Sequence, residues 1–369
     1  MSRPARAVID LAALARNYGL ARRQHGGRTL AILKADAYGH GALPCARHLA
    51  PEADGFGVAF GDEALALRDS GIASPILVLE GFFSESELRQ FQQQGLWSVV
   101  HHEEQLRMLE HARLPAKSLN VWLKADSGMR RAGFGLDCIR HAHARLSACA
   151  AVNRIVLMTH FARADEPQVD VTREQIRAFD AAIQHLAGER SLCNSAGILA
   201  WPEARRDWGR CGIALYGASP LPQPGTALSP VMRLESEVFA VRDIAPGDCV
   251  GYGGSFTADR PMRIGLVAMG YADGYPRAAG NGTAVAIAGA RSTIVGRVSM
   301  DMLAVDLTDL PGCGVSSPVE LWGENIDINA VATRAQTIAY ELLCNVKRVR
   351  KVYTGARAAQ QCANAALAP

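Results

Sequence analysis

No apolar run in the chain approaches the roughly 20 residues of a membrane-spanning helix. Arg3 and Arg6 precede Ala7-Val8-Ile9 in the manner of an export signal, but Asp10 interrupts that run at once. A secretory leader needs a longer apolar stretch, so the expectation is a cytoplasmic protein with no membrane partner. The nine cysteines contain no Cys-x-x-Cys pair, and their number is odd. That spacing argues against a zinc site, a redox motif or a disulfide scaffold and predicts reduced thiols. Charge of one sign is not concentrated anywhere: the formal net charge is +3 over 369 residues, with Lys and Arg interspersed among Asp and Glu. A nucleic-acid partner is therefore not expected. Metal-like clusters are also poor. His101-His102-Glu103-Glu104 reads as the solvated start of a helix, and His141-Ala142-His143 directs its two rings to different helix faces.

What is present is apolar mass and alternation. With 49% hydrophobic residues, a chain of this length can bury one large core and a smaller second one, which predicts two domains. Asp10 can cap a helix running to about Arg23 that buries Leu11, Leu14 and Leu20. Short apolar runs then alternate with helical stretches. The predicted strands are Leu30 to Lys34, Gly55 to Ala59, Ile76 to Leu79, Ser98 to Val100, Val121 to Lys124, Ile155 to His160, Leu192 to Ser195 and Cys211 to Leu215. Eight β/α alternations predict an α/β fold. A closed (β/α)8 barrel of the TIM type is favoured over a doubly wound open sheet, because polar residues of interest fall at the carboxyl ends of several different strands. The character changes near Pro220-Leu221-Pro222-Gln223-Pro224-Gly225. Beyond it the pattern has period two, as in Arg291 to Val298, with turn signals at Pro246-Gly247-Asp248 and Asn281-Gly282. The expected organisation is a barrel over residues 1–225 and a mainly antiparallel β domain over 226–369, with one helical stretch from Val331 to Cys344 that carries Ile338 and Leu342.

Lys34 closes the apolar run Leu30-Ala31-Ile32-Leu33 and is followed by Ala35-Asp36-Ala37-Tyr38-Gly39-His40-Gly41. A lysine at the dry end of a buried strand loses its proton more easily than one in water, and a neutral amine can attack an aldehyde. An ordinary strand-edge lysine is the other reading of these residues. If Lys34 forms an imine, its natural partner is pyridoxal phosphate, whose phosphate needs backbone amides and hydroxyls. Asn194-Ser195-Ala196-Gly197 and Arg210-Cys211-Gly212-Ile213 offer them. Singly, each is also ordinary turn chemistry. A dinucleotide loop at Gly251-x-Gly253 fails, because Phe256 stands where the third glycine belongs.

Taken in order, the motifs are no longer ordinary. Ala-Ile-Leu-Lys-Ala-Asp-Ala-Tyr-Gly-His-Gly at 31, Lys-Ala-Asp-Ser-Gly-Met-Arg-Arg-Ala-Gly at 124, Thr-His-Phe-Ala at 159 and Asn-Ser-Ala-Gly at 194 resemble alanine racemase. So do Arg-Cys-Gly-Ile-Ala-Leu-Tyr-Gly at 210, Gly-Tyr-Gly-Gly-Ser-Phe at 251, Gly-Tyr-Ala-Asp-Gly-Tyr at 270 and Gly-Arg-Val-Ser-Met-Asp at 296. The resemblance spans essentially the whole chain. It implies an isomerase that interconverts L- and D-alanine, for peptidoglycan precursors or for alanine breakdown. Pyridoxal phosphate would sit in the barrel mouth, and a homodimer would have each β domain complete the partner's site.

By that resemblance Lys34 holds the cofactor as an imine, and Tyr38, Ser195, Gly212, Ile213 and Tyr353 hold its phosphate. Arg210 faces the pyridine nitrogen and keeps it unprotonated, which weakens the ring as an electron sink. Racemisation needs two acid/base groups on opposite faces of Cα, and the implied pair is Lys34 and Tyr252, the tyrosine arriving from a second subunit. A phenol titrates near pH 10, so neighbouring cations must help it to ionise. His160 is implied between Arg210 and Tyr252. Arg131 is implied to bind the substrate carboxylate, and Lys124 just upstream to carry a carbamate that orients it. Met300 and Asp301 resemble the pair that reaches into the partner's site, and Tyr271 a tyrosine at its entrance. Ser299 and Arg130 depart from the usual pattern. Two other functions compete. A broader amino-acid racemase uses a similar frame, and a non-catalytic pyridoxal phosphate carrier would need only the barrel.

Overall fold

Strand β1 (Arg6–Asp10) leads into the helix Leu11–His25, and a series of short strands follows: β2 (Arg28–Ile32), β3 (Phe56–Val58), β4 (Ile76–Val78), β5 (Trp97–Val100) and β6 (Leu119–Asp126). The two-residue β7 (Phe134–Gly135) pairs with β6, and β8 (Val152–Met158), β9 (Glu189–Ser191) and β10 (Trp208–Cys211) complete the series. This computed structural model describes residues 3–222 and 228–356, so the expected domain boundary at 225/226 lies outside the described residues. All pairings along the order β10-β2-β3-β4-β5-β6-β8-β9 are parallel. Strands such as Ile76-Leu77-Val78 are wholly buried, as they must be when helices cover one face of the sheet and the barrel interior fills the other. The sheet nearly closes between β9 and β10, where the Ser191 hydroxyl donates to the Trp208 carbonyl (2.9 Å) and the Arg210 amide to that of Cys193 (3.0 Å).

The helix after β1 is capped as expected, since the Asp10 carboxylate accepts from the amides of Ala12 (2.8 Å) and Ala13 (3.1 Å). It buries Leu11, Leu14, Tyr18 and Ala21, while Leu20 is only half-buried. Several predicted strands end or begin elsewhere; the expected Ile155 to His160, for instance, is Val152–Met158. The first predicted strand stops at Ile32, two residues short of Lys34. In place of Leu192 to Ser195 the strand is β9, and Asn194 instead caps the helix Ser195–Ala200 by accepting from the Gly197 amide (2.9 Å). In place of Cys211 to Leu215 the strand is β10, followed by a 3-10 turn over Ile213–Tyr216. The physical reason is that β9 carries polar side chains: Glu189 pairs with Arg28 and accepts from Trp208 Nε1 (2.9 Å), so apolarity marks the buried turns after these strands better than the strands themselves.

The second sheet uses β11 (Met232–Ile244), the small hairpin β12 (Cys249–Val250) and β13 (Phe256–Thr257), β14 (Met262–Val267), β15 (Ala284–Ile287), β16 (Ala290–Val295), β17 (Leu303–Asp306), β18 (Pro318–Trp322) and β19 (Arg350–Thr354). The hairpin stands apart, and the others run in the order β14-β17-β16-β15-β18-β11-β1-β19, with β11 also pairing to β14 so that the sheet returns on itself. Every pairing is antiparallel except β1 with β19. Strand β1 thus belongs to this sheet although it precedes the barrel in sequence. The expected single helical stretch is two helices, Ile328–Arg334 and Ala339–Asn345, separated at Gln336, whose φ of 57° is left-handed. One apolar cluster runs through both sheets. Among the described residues no helix is long and apolar enough to cross a membrane.

Candidate active site

The chain leaves β2 through an uncommon conformation. Ala35, Asp36, Ala37 and Tyr38 all have φ between 51° and 55°, a single turn of left-handed helix that costs about 1–2 kcal/mol per residue for L-amino acids. Surrounding groups hold it. The Ala35 amide donates to Glu63 Oε1 (2.6 Å), the Gly41 amide to the Asp36 carbonyl (2.9 Å), and the Ala42 amide to Asp36 Oδ1 (2.7 Å). His40 Nδ1 lies 2.9 Å from the carbonyls of both Ala37 and Tyr38. Burial pushes His40 down to about 4, so the ring is neutral near pH 7 and its Nδ1–H is the donor. Two motif glycines are close approaches: a Cβ on Gly39 would lie 2.1 Å from the Leu343 carbonyl, and one on Gly41 2.1 Å from the Tyr353 hydroxyl. The turn sets the positions of Lys34 at its start and Tyr38 at its end.

Both residues line a cavity of about 370 Å³ at the carboxyl ends of the barrel strands. Lys124, Arg131, His160, Ser195, Arg210, Gly212 and Ile213 line it too. Nine of the expected site residues therefore converge from six separate segments of the barrel. Arg210 is buried and, among the described residues, has no carboxylate partner; its guanidinium donates to the carbonyls of Ser191 (3.0 Å), Thr159 (2.7 Å) and Leu192 (3.1 Å) and to Ser191 Oγ (2.6 Å). Burial lowers it to about 10, so it stays cationic at neutral pH. Its Nη2 is 3.4 Å from His160 Nδ1. An arginine cannot accept, so Nδ1 is the acceptor and Nε2 carries the imidazole proton. Burial, then Arg210, Lys124 and Arg131, hold His160 well below the ordinary histidine range. Lys124 is only 7% exposed. Burial lowers its amine to about 8, with Glu80 acting the other way and Arg210 and Arg131 adding to the decrease.

The donor set fits pyridoxal phosphate. Ser195 Oγ accepts from the amides of Gly212 (2.8 Å) and Ala214 (3.3 Å), which leaves its own proton free for a phosphate oxygen. The Tyr38 hydroxyl stands beside Gly212, where a Cβ would come within 2.8 Å of it. A lysine amine and a cationic arginine face the same cavity, which suits an aldehyde at one position of a ring and a basic nitrogen at another.

Tyr353 is not among the residues that line the cavity; its hydroxyl donates to the His40 carbonyl (3.1 Å) just after the left-handed turn. Tyr252, Tyr271, Met300 and Asp301 are absent from the cavity of their own chain. They sit on β-domain loops, with Tyr252 68% and Met300 54% exposed. The amides of Tyr271 and Ala272 donate to the carbonyls of Ser299 and Met300 (3.0 Å each), which groups three of them. Among the lining residues that were not foreseen are Glu80, Tyr340 and Cys344. Glu80 follows β4 at the catalytic end of a barrel strand, a position that could have flagged it. Tyr340 and Cys344 are one turn apart on the helix Ala339–Asn345, and only tertiary docking brings that helix over the barrel mouth. Tyr340 packs against Tyr38 with ring centroids 5.9 Å apart.

Residues 9–220 match the N-terminal domain of alanine racemase, and residues 231–353 match its C-terminal domain. The chain belongs to the alanine racemase family. These are isomerases that exchange the two mirror forms of alanine. The chain is 61% identical to the alanine racemase of Azoarcus sp. (strain BH72), over 96% of its own length and 100% of the relative. It is 55% identical to an alanine racemase of Pseudomonas aeruginosa described as catabolic, over 96% and 100%. The solved biosynthetic alanine racemase of Pseudomonas aeruginosa superposes with a TM-score of 0.92 at 44% identity, over 95% of this chain and 99% of that one. The alanine racemase of Bartonella henselae, solved with covalently bound pyridoxal phosphate, gives 0.87 at 29% identity, over 95% and 99%.

Proposed function

We propose that this chain racemises alanine with pyridoxal phosphate bound covalently at Lys34, in a site completed by a second copy of the chain. The observation that carries the reading is the convergence of Lys34, His160, Ser195 and Arg210 in one cavity, with donors suited to a phosphate and a buried cationic arginine in the same lining. The cofactor, when bound, supplies an aldehyde carbon for the imine and a conjugated ring that spreads the charge left when Cα loses its proton.

The residues do the rest. Tyr38, Ser195 and the backbone at Gly212 and Ile213 hold the phosphate end. Arg210, fixed by carbonyls on several sides, keeps its own protons and so holds the ring nitrogen unprotonated, which limits side reactions that need a stronger electron sink. Arg131 binds the substrate carboxylate. Lys34 Nζ moves the proton on one face of Cα. Tyr252 of the partner subunit moves it on the other. Lys124 carries a carbamate whose charge orients Arg131; its lowered amine supports this, because only a neutral amine adds to carbon dioxide.

The test is an alanine racemisation assay with an absorbance scan of the bound cofactor, on the unaltered protein and on Lys34→Ala. The expected outcome is racemisation of both enantiomers and a lysine-linked cofactor band, each abolished by the substitution. A covalent cofactor that persists in Lys34→Ala would overturn the assignment. Running serine, lysine and arginine alongside separates an alanine enzyme from a broader racemase.

A further inference from the structure

The turn that presents Lys34 is tied to the other sheet of the molecule by a charged contact that takes no part in the reaction. Lys351 lies on β19 at the edge of the β-domain sheet, in register with Ala7 of β1. Its ammonium donates to Asp36 Oδ2 at 2.5 Å, across 315 residues of sequence. Asp36 is the second residue of the left-handed turn, and its other carboxylate oxygen accepts from the Ala42 amide (2.7 Å). Two residues along the same strand, the Tyr353 hydroxyl donates to the His40 carbonyl (3.1 Å). Strand β19 therefore grips the turn at both ends.

We infer that Lys351 is a positioning residue for the cofactor lysine: its ion pair with Asp36 holds the left-handed turn in the geometry that aims Lys34 and Tyr38 into the cavity. The inference rests on the proposed role of Lys34. The argument is one of competing conformations. Four consecutive L-residues in the left-handed region relax toward ordinary backbone unless each restraint is kept. Asp36 is the residue in that turn whose side chain is held by charge from the other sheet. Asp36 paired on one oxygen alone retains the local cap to Ala42 but loses the anchor to the β sheet. Lys351 is 22% exposed and Asp36 58%, so the pair is too wet to govern global stability. Its consequence is local, because a small rotation of the turn moves the lysine amine and the tyrosine hydroxyl together.

The experiment uses the full chain and compares Lys351→Met, Lys351→Arg and Asp36→Asn, the last keeping an oxygen for the Ala42 amide while removing the charge. Cofactor affinity is read by titrating apoprotein with pyridoxal phosphate and following the lysine-linked absorbance band, and alanine kinetics are split into kcat and KM. Lys351→Met and Asp36→Asn are expected to weaken cofactor binding about tenfold, the scale of a 1.4 kcal/mol loss, and to lower kcat with KM for alanine within about twofold. Lys351→Arg is expected to restore both. Unchanged cofactor affinity and kcat in Lys351→Met and Asp36→Asn, whatever happens to the melting temperature, would overturn the inference. Lys34→Ala is the control: if the band survives there, the proposed role of Lys34 has failed, whereas a band lost in Lys34→Ala but normal in Lys351→Met removes the positioning role alone.

Discussion

Lys124 and Glu80 line one cavity with Arg131 and Arg210, and their charges pull in opposite directions. The two arginines and burial favour an uncharged Lys124, while Glu80 favours the ammonium. A carbamate on Lys124 would gain from the arginines and be opposed by the carboxylate. With the amine near pKa 8, roughly a tenth of it is neutral at pH 7 and about nine-tenths at pH 9. Carbamate occupancy should therefore rise across that interval at constant dissolved carbon dioxide, since the reacting species is the neutral amine and a proton is released. Carbon-13 bicarbonate and NMR should show one carbamate resonance in the unaltered protein, none in Lys124→Met, and a stronger one in Glu80→Gln. A spectrum without that resonance at pH 9 would leave Lys124 a plain buried amine. At this scale the sequence was informative where a motif names the side chain, as with Lys34, Ser195 and Arg210. It was silent on Tyr340 and Cys344, because their place over the cavity depends on how a helix from the other end of the chain docks.

Elements were legible to the extent that apolar burial marks them. The fully apolar β4 and the buried, mostly apolar β5 fall within a residue of their expected bounds. Strands β9 and β10 do not, because Glu189 and Arg28 satisfy each other at the sheet and hide the strand from a reading based on hydrophobicity. The left-handed turn at 35–38 was invisible for a different reason: nothing in Ala-Asp-Ala-Tyr prefers positive φ, and only external restraints impose it. A helix start is the opposite case, since its signal is local. Asp10 accepts from two first-turn amides of the helix Leu11–His25, so Asp10→Ala should cost about 1 kcal/mol of stability. Urea unfolding should show a lower midpoint with an unchanged slope, and kcat and KM for alanine should stay at their original values. A shift in kcat would mean that the cap also controls the cavity, which its position at the amino end of the helix opposes.

The two-domain outline was legible from the change of period near residue 220, but the way β1 crosses into the second sheet was not, since a five-residue strand carries no mark of its partner. That crossing binds both sheets into one apolar core, yet it leaves the expected proton carriers apart: Lys34 lines the cavity and Tyr252 stands exposed on the β domain. The proposed second copy would bring them together. Phe60 and Phe83, at the carboxyl ends of β3 and β4, are 47% and 64% exposed with ring centroids 6.1 Å apart. Exposed Met300 and Met302 lie on the β domain. Apolar surface near the barrel mouth and on the β-domain loops is what a two-fold interface can pair, each patch meeting the other on the partner. If the site is shared, Lys34→Ala and Tyr252→Phe proteins are each inactive alone. Equal mixing with full subunit exchange makes half the dimers mixed, and each mixed dimer has one site with an intact Lys34 and an intact tyrosine. Activity should recover to about a quarter of that of the unaltered protein. If both groups served the same chain's site, every site in the mixture would carry one lesion. Recovery would then be absent despite exchange verified by mass or by a tag, and the shared site would have to be abandoned.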